Sequence, residues 1–298
     1  VSTVTASQKR RTLRQLLQGA RALRAPGIYD GYGARLVEQV GFAAAYMTGN
    51  GVSATLLGRP DVGLVDLTMM TDHARRVASS VDMPLICDAD TGYGNVVNVR
   101  RAMMEFEAAG VAAIHIEDQV SPKRCAQMPG DRTVLEFAQA VAKISAASAA
   151  RSDSEFVLIA RTDSAGALGL QEAIRRGQAF TDVGADAIFV ELKDNPHILQ
   201  DIQTIKASIT VPVVVNVDSA QALRHLHEAD LKQAGIDLAI YPALARGVFG
   251  YAMRAALSHL DRVGNLAGYE DQMFTPAQYN EALGLSEVEA WEKRFDER

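Results

Sequence analysis

The chain has 298 residues, 48% of them hydrophobic, and a net charge of −6 spread along its length. That is ample for a sizeable core, and the lack of any basic run argues against nucleic acid as a partner. No apolar stretch reaches the ~18–20 residues of a membrane span, residues 1–11 are polar and basic without the apolar run of a secretory leader, and a cytoplasmic protein is expected.

In chain order, short apolar and β-branched runs at 26–29, 44–48, 83–88 and 112–117 read as strands, followed by others at 156–161, 187–191, 211–217 and 238–241. Between them lie stretches with helical spacing of apolar residues, among them 97–109, 135–149, 170–183 and 198–207. Gly41, Gly110, Gly184 and Gly235 stand before strands, where a left-handed residue ends a helix ahead of a short loop. Strand runs apolar almost throughout indicate burial on both faces, as in parallel sheets. Eight such strands alternating with helices predict an α/β fold, a closed (β/α)₈ barrel of the TIM type. An open doubly wound sheet is the alternative, although no glycine-rich dinucleotide fingerprint follows the first strand. One domain is expected over 1–298, with the barrel at about 23–262 and a helical tail at about 265–298 carrying the single tryptophan, Trp291. The tail caps its own barrel or packs on a neighbouring subunit.

In barrels of this kind the catalytic face is the C-terminal one, and strand after strand here finishes in polar residues: Thr48-Gly49-Asn50, Asp88-Ala89-Asp90, Glu117-Asp118, Arg161-Thr162-Asp163, Glu191 and Asn216. Strand ends meet solvent, which accounts for any one of these. It accounts less well for acids that follow fully apolar strands and converge on one axis. Asp88, Asp90 and Glu117 would share a mouth, and unpaired their repulsion raises at least one pKa. A hard divalent cation resolves that conflict. An oxygen-only donor set without clustered His or Cys suits Mg²⁺, or Mn²⁺, rather than Zn²⁺. Arg161 has the geometry to grip a substrate carboxylate with two hydrogen bonds, the competing reading being an internal Arg–Asp pair. A cation and arginines would let a negatively charged protein take a small anionic substrate.

The polar segment 120–131 reads as a lid over the mouth. In it Cys125 follows Lys123-Arg124, and neighbouring cations bring a thiol into the range useful for acid–base work, although a loop cysteine is often incidental. Cys87, inside the third strand, reads as packing. Two cysteines are too few for a disulfide framework.

Together these segments resemble the isocitrate lyase/phosphoenolpyruvate mutase superfamily, most of all its methylisocitrate lyase-like branch. The resemblance runs from about Leu23 to His259. It is carried by Tyr46-Met47-Thr48-Gly49-Asn50-Gly51, Gly58-Arg59-Pro60-Asp61, Asp88-Ala89-Asp90-Thr91-Gly92-Tyr93-Gly94, His115-Ile116-Glu117-Asp118-Gln119, Lys123-Arg124-Cys125 and Ala160-Arg161-Thr162-Asp163. The resemblance implies Asp90 as the direct Mg²⁺ ligand, with Asp88 and Glu117 holding metal-bound waters. It implies that Thr48, Gly49 and Asn50 bind a substrate carboxylate through main-chain N–H groups, where the family has Ser-Gly-Gly. Arg161 would clamp another carboxylate, Glu191 and Asn216 would complete the wall, and Asp61 would come from a mobile loop. Cys125 would protonate the enolate left when a 2-hydroxy acid loses a 2-oxo acid, with Lys123 and Arg124 beside it and Tyr46 relaying the hydroxyl proton. A homotetramer of dimers that exchange C-terminal helices is also implied, and the apolar residues Leu283, Leu285, Val288 and Trp291 are compatible with it.

Two departures bear on the substrate. The branch's lid continues Gly-His-Arg after the cysteine, whereas this chain has Ala126-Gln127-Met128; Gln127 cannot carry a positive charge or move a proton. The Thr-Glu-Phe-Gly-like turn expected after the seventh strand is replaced by Val217-Asp218-Ser219-Ala220. A substrate with fewer charges follows. The readings that stand are carbon–carbon cleavage of a 2-hydroxy di- or tricarboxylate, oxaloacetate decarboxylation or hydrolysis, phosphonopyruvate-type chemistry, and a barrel that binds a metabolite without turnover.

Overall fold

The computed structural model describes residues 4–125, 128–130 and 132–296. Gln127, and the expectation attached to it, lies outside them. Eight parallel strands form a closed barrel in sequence order: β1 Leu23–Ile28, β2 Ala45–Met47, β3 Leu85–Asp88, β4 Ala113–Glu117, β5 Val157–Thr162, β6 Ala187–Val190, β7 Val213–Asn216 and β8 Leu238–Tyr241. β8 pairs with β1, Leu23 opposite Leu238 and Pro26 opposite Tyr241. Closure brings the chain close together at Gly27, where a Cβ would stand 2.4 Å from the carbonyl oxygen of Tyr241. Only glycine fits there.

The strands are buried on both faces, and their side chains divide into two apolar clusters. One contains Tyr46, Ile86, Ile159, Phe189, Val214 and Ile240 from the strands, with Leu13 and Leu17 of the helix Ala6–Leu17. The other packs strand residues such as Met47, Cys87 and Ile114 against the surrounding helices. The helix Ala6–Leu17 has a reciprocal cap between Thr5 and Gln8. The stretch noted in the sequence only as polar and basic is thus an amphipathic plug. Lys9 donates to the carbonyls of Ala78 (2.8 Å) and Val81 (2.5 Å), and Arg10 to that of Val111 (3.1 Å).

After β8 comes the 20-residue helix Leu244–Val263, in which no residue is buried. Val248, Phe249, Tyr251 and Leu257 on it are exposed, as is Trp291 in the later helix Leu285–Asp296. Between these, Pro276–Ala282 rests on the helix Gly31–Gln39: Arg35 donates to the carbonyl of Ala282 (3.2 Å), and the Tyr32 and Tyr279 rings meet edge-on at 5.5 Å. Among the described residues no helix is long and apolar enough to cross a membrane.

Candidate active site

The C-terminal strand ends surround a cavity of about 40 Å³, room for only a few waters. Tyr46, Asp88, Glu117, Arg161, Glu191 and Asn216 line it from the strands. Asp61, Lys123, Arg124 and Cys125 close it from the loops, and Thr48 and Asn50 border it at the start of the helix Gly49–Leu57. Of the fourteen residues singled out in the sequence, twelve border this cavity; Gly49 and Asp90 do not, and Asp90 is joined to the lining through Lys123 (2.7 Å).

Local geometry explains the convergence. β3 ends at Asp88, and the chain then turns through Asp90, whose φ of 47° is left-handed, a conformation aspartate adopts more readily than most L-residues. The turn is held by the Asp90 N–H donating to Asp88 Oδ1 (3.0 Å) and the Glu117 N–H donating to the Asp90 carbonyl (2.9 Å). Thr48 caps the next helix, its side chain accepting from the Gly51 N–H. Gly49 lets that helix start descend onto the acids: a Cβ there would lie 2.8 Å from Asp88 Oδ2 and 3.3 Å from Asp90 Oδ1. The Gly49 N–H donates to Asp88 Oδ2 (3.2 Å), so it serves that carboxylate, whereas the resemblance assigns it to a substrate.

Asp61, Asp88, Asp90, Glu117, Asp163 and Glu191 are all buried. Lys123 bridges Asp61 (2.6 Å) and Asp90 (2.7 Å). Arg161 holds Asp163 with two hydrogen bonds of 3.0 Å and reaches Glu117 (3.3 Å) and Glu191 (3.4 Å). The internal Arg–Asp pair is thus present, with two further acids joined to it. Asn216 donates to Glu191 (3.3 Å).

These cations do not balance the acids evenly. Burial, opposed by Lys123 but reinforced by Asp88 and Asp61, pushes the Asp90 carboxyl up to about 7. Burial likewise raises Glu117 well above the usual carboxylate range, against Arg161, and raises Glu191. Asp88 goes the other way: burial opposes it, yet His115, Lys123, Arg161 and the Asp90 N–H hold it down to about 2. His115 is pushed down to about 4 by burial, so its ring is neutral near pH 7. Its Nε2 lies 2.8 Å from the Tyr46 hydroxyl, which burial keeps protonated.

A divalent cation fits this donor set. The ligating atoms are oxygens, Asp88 and Asp90 both border Gly49, and Glu117 Oε1 is buried with no hydrogen-bond partner. Among the described residues no three His, Cys, Asp or Glu side chains form a cage of direct ligands. Magnesium needs no such cage, since it binds through one or two carboxylates and keeps its waters.

The lid cysteine is held from several sides. Its N–H donates to the Asp61 carbonyl (3.2 Å), and its Sγ accepts from Asn50 Nδ2 (3.0 Å). One residue earlier, the Gln119 amide both accepts from the Arg124 N–H (3.0 Å) and donates to the Arg124 carbonyl (3.2 Å).

Sequence reasoning missed His115 as a partner for Tyr46, Arg132, which reaches Asp163 at 3.1 Å, and Arg246, which lines the cavity from the first turn of Leu244–Val263. An arginine four residues beyond the Tyr241-Pro242 strand end was the one available signal for Arg246.

Residues 13–261 match the family model for phosphoenolpyruvate phosphomutase. The 2,3-dimethylmalate lyase of Eubacterium barkeri is 37% identical over 283 residues, 95% of this chain and 96% of that protein. A solved oxaloacetate acetylhydrolase in complex with 3,3-difluorooxalacetate is 32% identical, with a TM-score of 0.88 over 97% of this chain and 96% of that one. A phosphonopyruvate hydrolase solved in complex with oxalate and Mg²⁺ is also 32% identical, with a TM-score of 0.85 over 98% and 99% of the two chains. The closed barrel agrees with these likenesses, and the chain belongs to the phosphoenolpyruvate mutase/isocitrate lyase superfamily of enzymes.

Proposed function

We propose that this enzyme is a Mg²⁺-dependent lyase acting on a small 2-hydroxy di- or tricarboxylate, dimethylmalate- or methylisocitrate-like, releasing a 2-oxo acid and a carboxylic acid. The carrying observation is the Cys125 thiol at the cavity wall, its sulfur and its main chain each held by a hydrogen bond. A reaction that generates a carbanion needs a proton donor there.

Asp90 would hold the cation directly, with Asp88 and Glu117 acting through water; bound there, Mg²⁺ supplies Lewis-acid stabilisation of substrate oxygens. The chain's own groups do the rest. Tyr46 takes the proton of the substrate hydroxyl while passing its own to His115 Nε2, 2.8 Å away. Lys123, Arg124 and Arg161 supply positive charge for substrate carboxylates, and Arg161 also fixes Glu117 and Glu191. Lys123, on the lid, leaves Asp61 and Asp90 as the lid opens to admit the substrate. Cys125 then delivers its proton to the enolate carbon when the lid recloses. Met128, in place of a family cation, favours a dicarboxylate.

The test is a panel of 2-hydroxy acids and oxaloacetate, with Mg²⁺, with Mn²⁺ and with chelator, reading released 2-oxo acid. Chelation-sensitive release from a 2-hydroxy acid is expected. Turnover of oxaloacetate alone, to oxalate and acetate or to pyruvate, would replace this reading with hydrolysis or decarboxylation. We propose further that the exposed apolar face of Leu244–Val263 is covered in a homotetramer; a monomeric mass in solution would refute that.

A further inference from the structure

At the third position of the family's Ser-Gly-Gly turn this chain carries Asn50, a side chain where the resemblance has none. Gly49 has no room for a Cβ, but the next residue lines the cavity, and its Nδ2 stands 3.0 Å from the Cys125 sulfur. The other lid contacts act elsewhere: Asp61 and Gln119 bind main-chain atoms of Cys125 and Arg124, and Lys123 reaches Asp61 and Asp90. They set the backbone, whereas Asn50 addresses the sulfur itself.

We infer that Asn50 is a positioning residue for the lid thiol, aiming its S–H into the cavity and stabilising the thiolate left when the proton departs. A neutral thiol is a weak acceptor, and a hydrogen bond strengthens when its acceptor is ionised. The Asn50 N–H therefore favours the state after transfer over the state before it, which is the condition for accelerating the step. In that step the S–H bond breaks, a C–H bond forms at the enolate carbon, and the electron pair stays on sulfur. Water returns a proton to the sulfur when the lid opens. The enolate as acceptor rests on the lyase reading; the Asn50–sulfur pairing does not.

Two measurements on the full chain test this separately. The first needs no turnover: alkylation of Cys125 by iodoacetamide at one neutral pH, with Cys125→Ser as the blank, since Cys87 is 0% exposed and silent. Asn50→Asp keeps the side chain's size and so the access, but sets a carboxylate against the thiolate. Alkylation should slow about tenfold, the value of one hydrogen bond to a charged group at its lower end; an unchanged rate overturns the pairing. The second is a double-mutant cycle in turnover. Asn50→Ala should lower kcat by about 10–100-fold with KM within about threefold, and should cost nothing further in a Cys125→Ser background. A rise in KM of equal size in both backgrounds would make Asn50 a substrate-carboxylate ligand and overturn the inference. If Cys125→Ser is itself silent in turnover, the lyase reading falls, and the alkylation rates still decide whether Asn50 holds the sulfur.

Discussion

At the N-terminal end of the barrel Asp153, Asp186 and Asp237 stand just ahead of β5, β6 and β8, and each meets cations. Asp153 pairs with Arg10 (2.8 Å), Asp186 with Arg14 (2.9 Å) and Arg151, and Asp237 with Lys206 (2.7 Å) and Lys232 (2.5 Å). Burial opposes the charge on Asp153 and Asp237, yet hydrogen bonds from Arg10 in one case and from Lys206, Lys232 and the Val213 N–H in the other hold both below the usual carboxylate range. At the C-terminal end Asp90, Glu117 and Glu191 are displaced upward, burial outweighing Lys123 and Arg161. Carboxylates in one barrel thus do two jobs. The paired acids hold strands to helices, and the under-compensated ones keep a demand for positive charge that a cation can meet, which is how perturbed groups mark functional sites.

The sharpest way to break this contrast is Asp90→Asn, which keeps size and tolerance of the left-handed turn while removing the charge. Metal-dependent turnover should fall below detection. The metal-free protein should unfold at the same temperature or higher, because Lys123 retains Asp61 and the fold no longer buries an under-compensated acid. A drop of more than about 2 °C, near 1 kcal/mol for a chain of this size, would mean that Asp90 is a stabilising acid like those at the other end. Next in size is Cys125→Ser. It should lower turnover on the order of 10²–10⁴-fold, the range of general acid catalysis, with little change in stability. A fully active serine variant would leave the metal site standing and remove the proton donor. In D₂O the wild type should place one deuteron on the carbon that lost its bond, checked by mass spectrometry of the product acid.

The contrast was half legible in the sequence. Apolar runs that stop abruptly at Asp88 and Glu117 announce both the strands and the acids that cap them, and the observed ends of β3 and β4 fall at those residues. β2 is one residue shorter than its apolar run at each end; at the later end Thr48, whose N–H still donates to the Ile28 carbonyl (3.1 Å), caps a helix. The opposite end was not legible. The helix Ala6–Leu17 carries Lys9, Arg10 and Arg14 on its buried side, where their stems pack and their heads meet carbonyls and acids about 70 to 170 residues away. A hydrophobicity pattern scores them as solvated. The Asn50–Cys125 pairing spans 75 residues, and Arg132 and Arg246 sit in no motif; each depends on closure of the barrel, which local spacing does not encode.

The smallest expected effect tests the paired end. Asp237 is buried, and accepts from two lysines and the Val213 N–H (2.8 Å). Asp237→Asn keeps the shape but removes the charge on which both lysine contacts depend, and presents the Val213 N–H or a lysine with a donor in place of one acceptor oxygen. A loss of about 1.5–3 kcal/mol is expected at pH 7, the range for hydrogen bonds to a charged group, measured by denaturant unfolding with activity per folded molecule unchanged. The sign of its pH dependence follows from linkage: a carboxyl whose folded pKa is depressed contributes stability that is present above its unfolded pKa and is lost as pH falls through the folded value. Wild type and Asp237→Asn should therefore differ fully at neutral pH and converge below about pH 4, the ordinary aspartate range, as the wild-type carboxyl takes up its proton. A gap that stays constant down to pH 3 would assign the loss to packing and not to charge, and Asp237 would then no longer stand as the paired counterpart of Asp90.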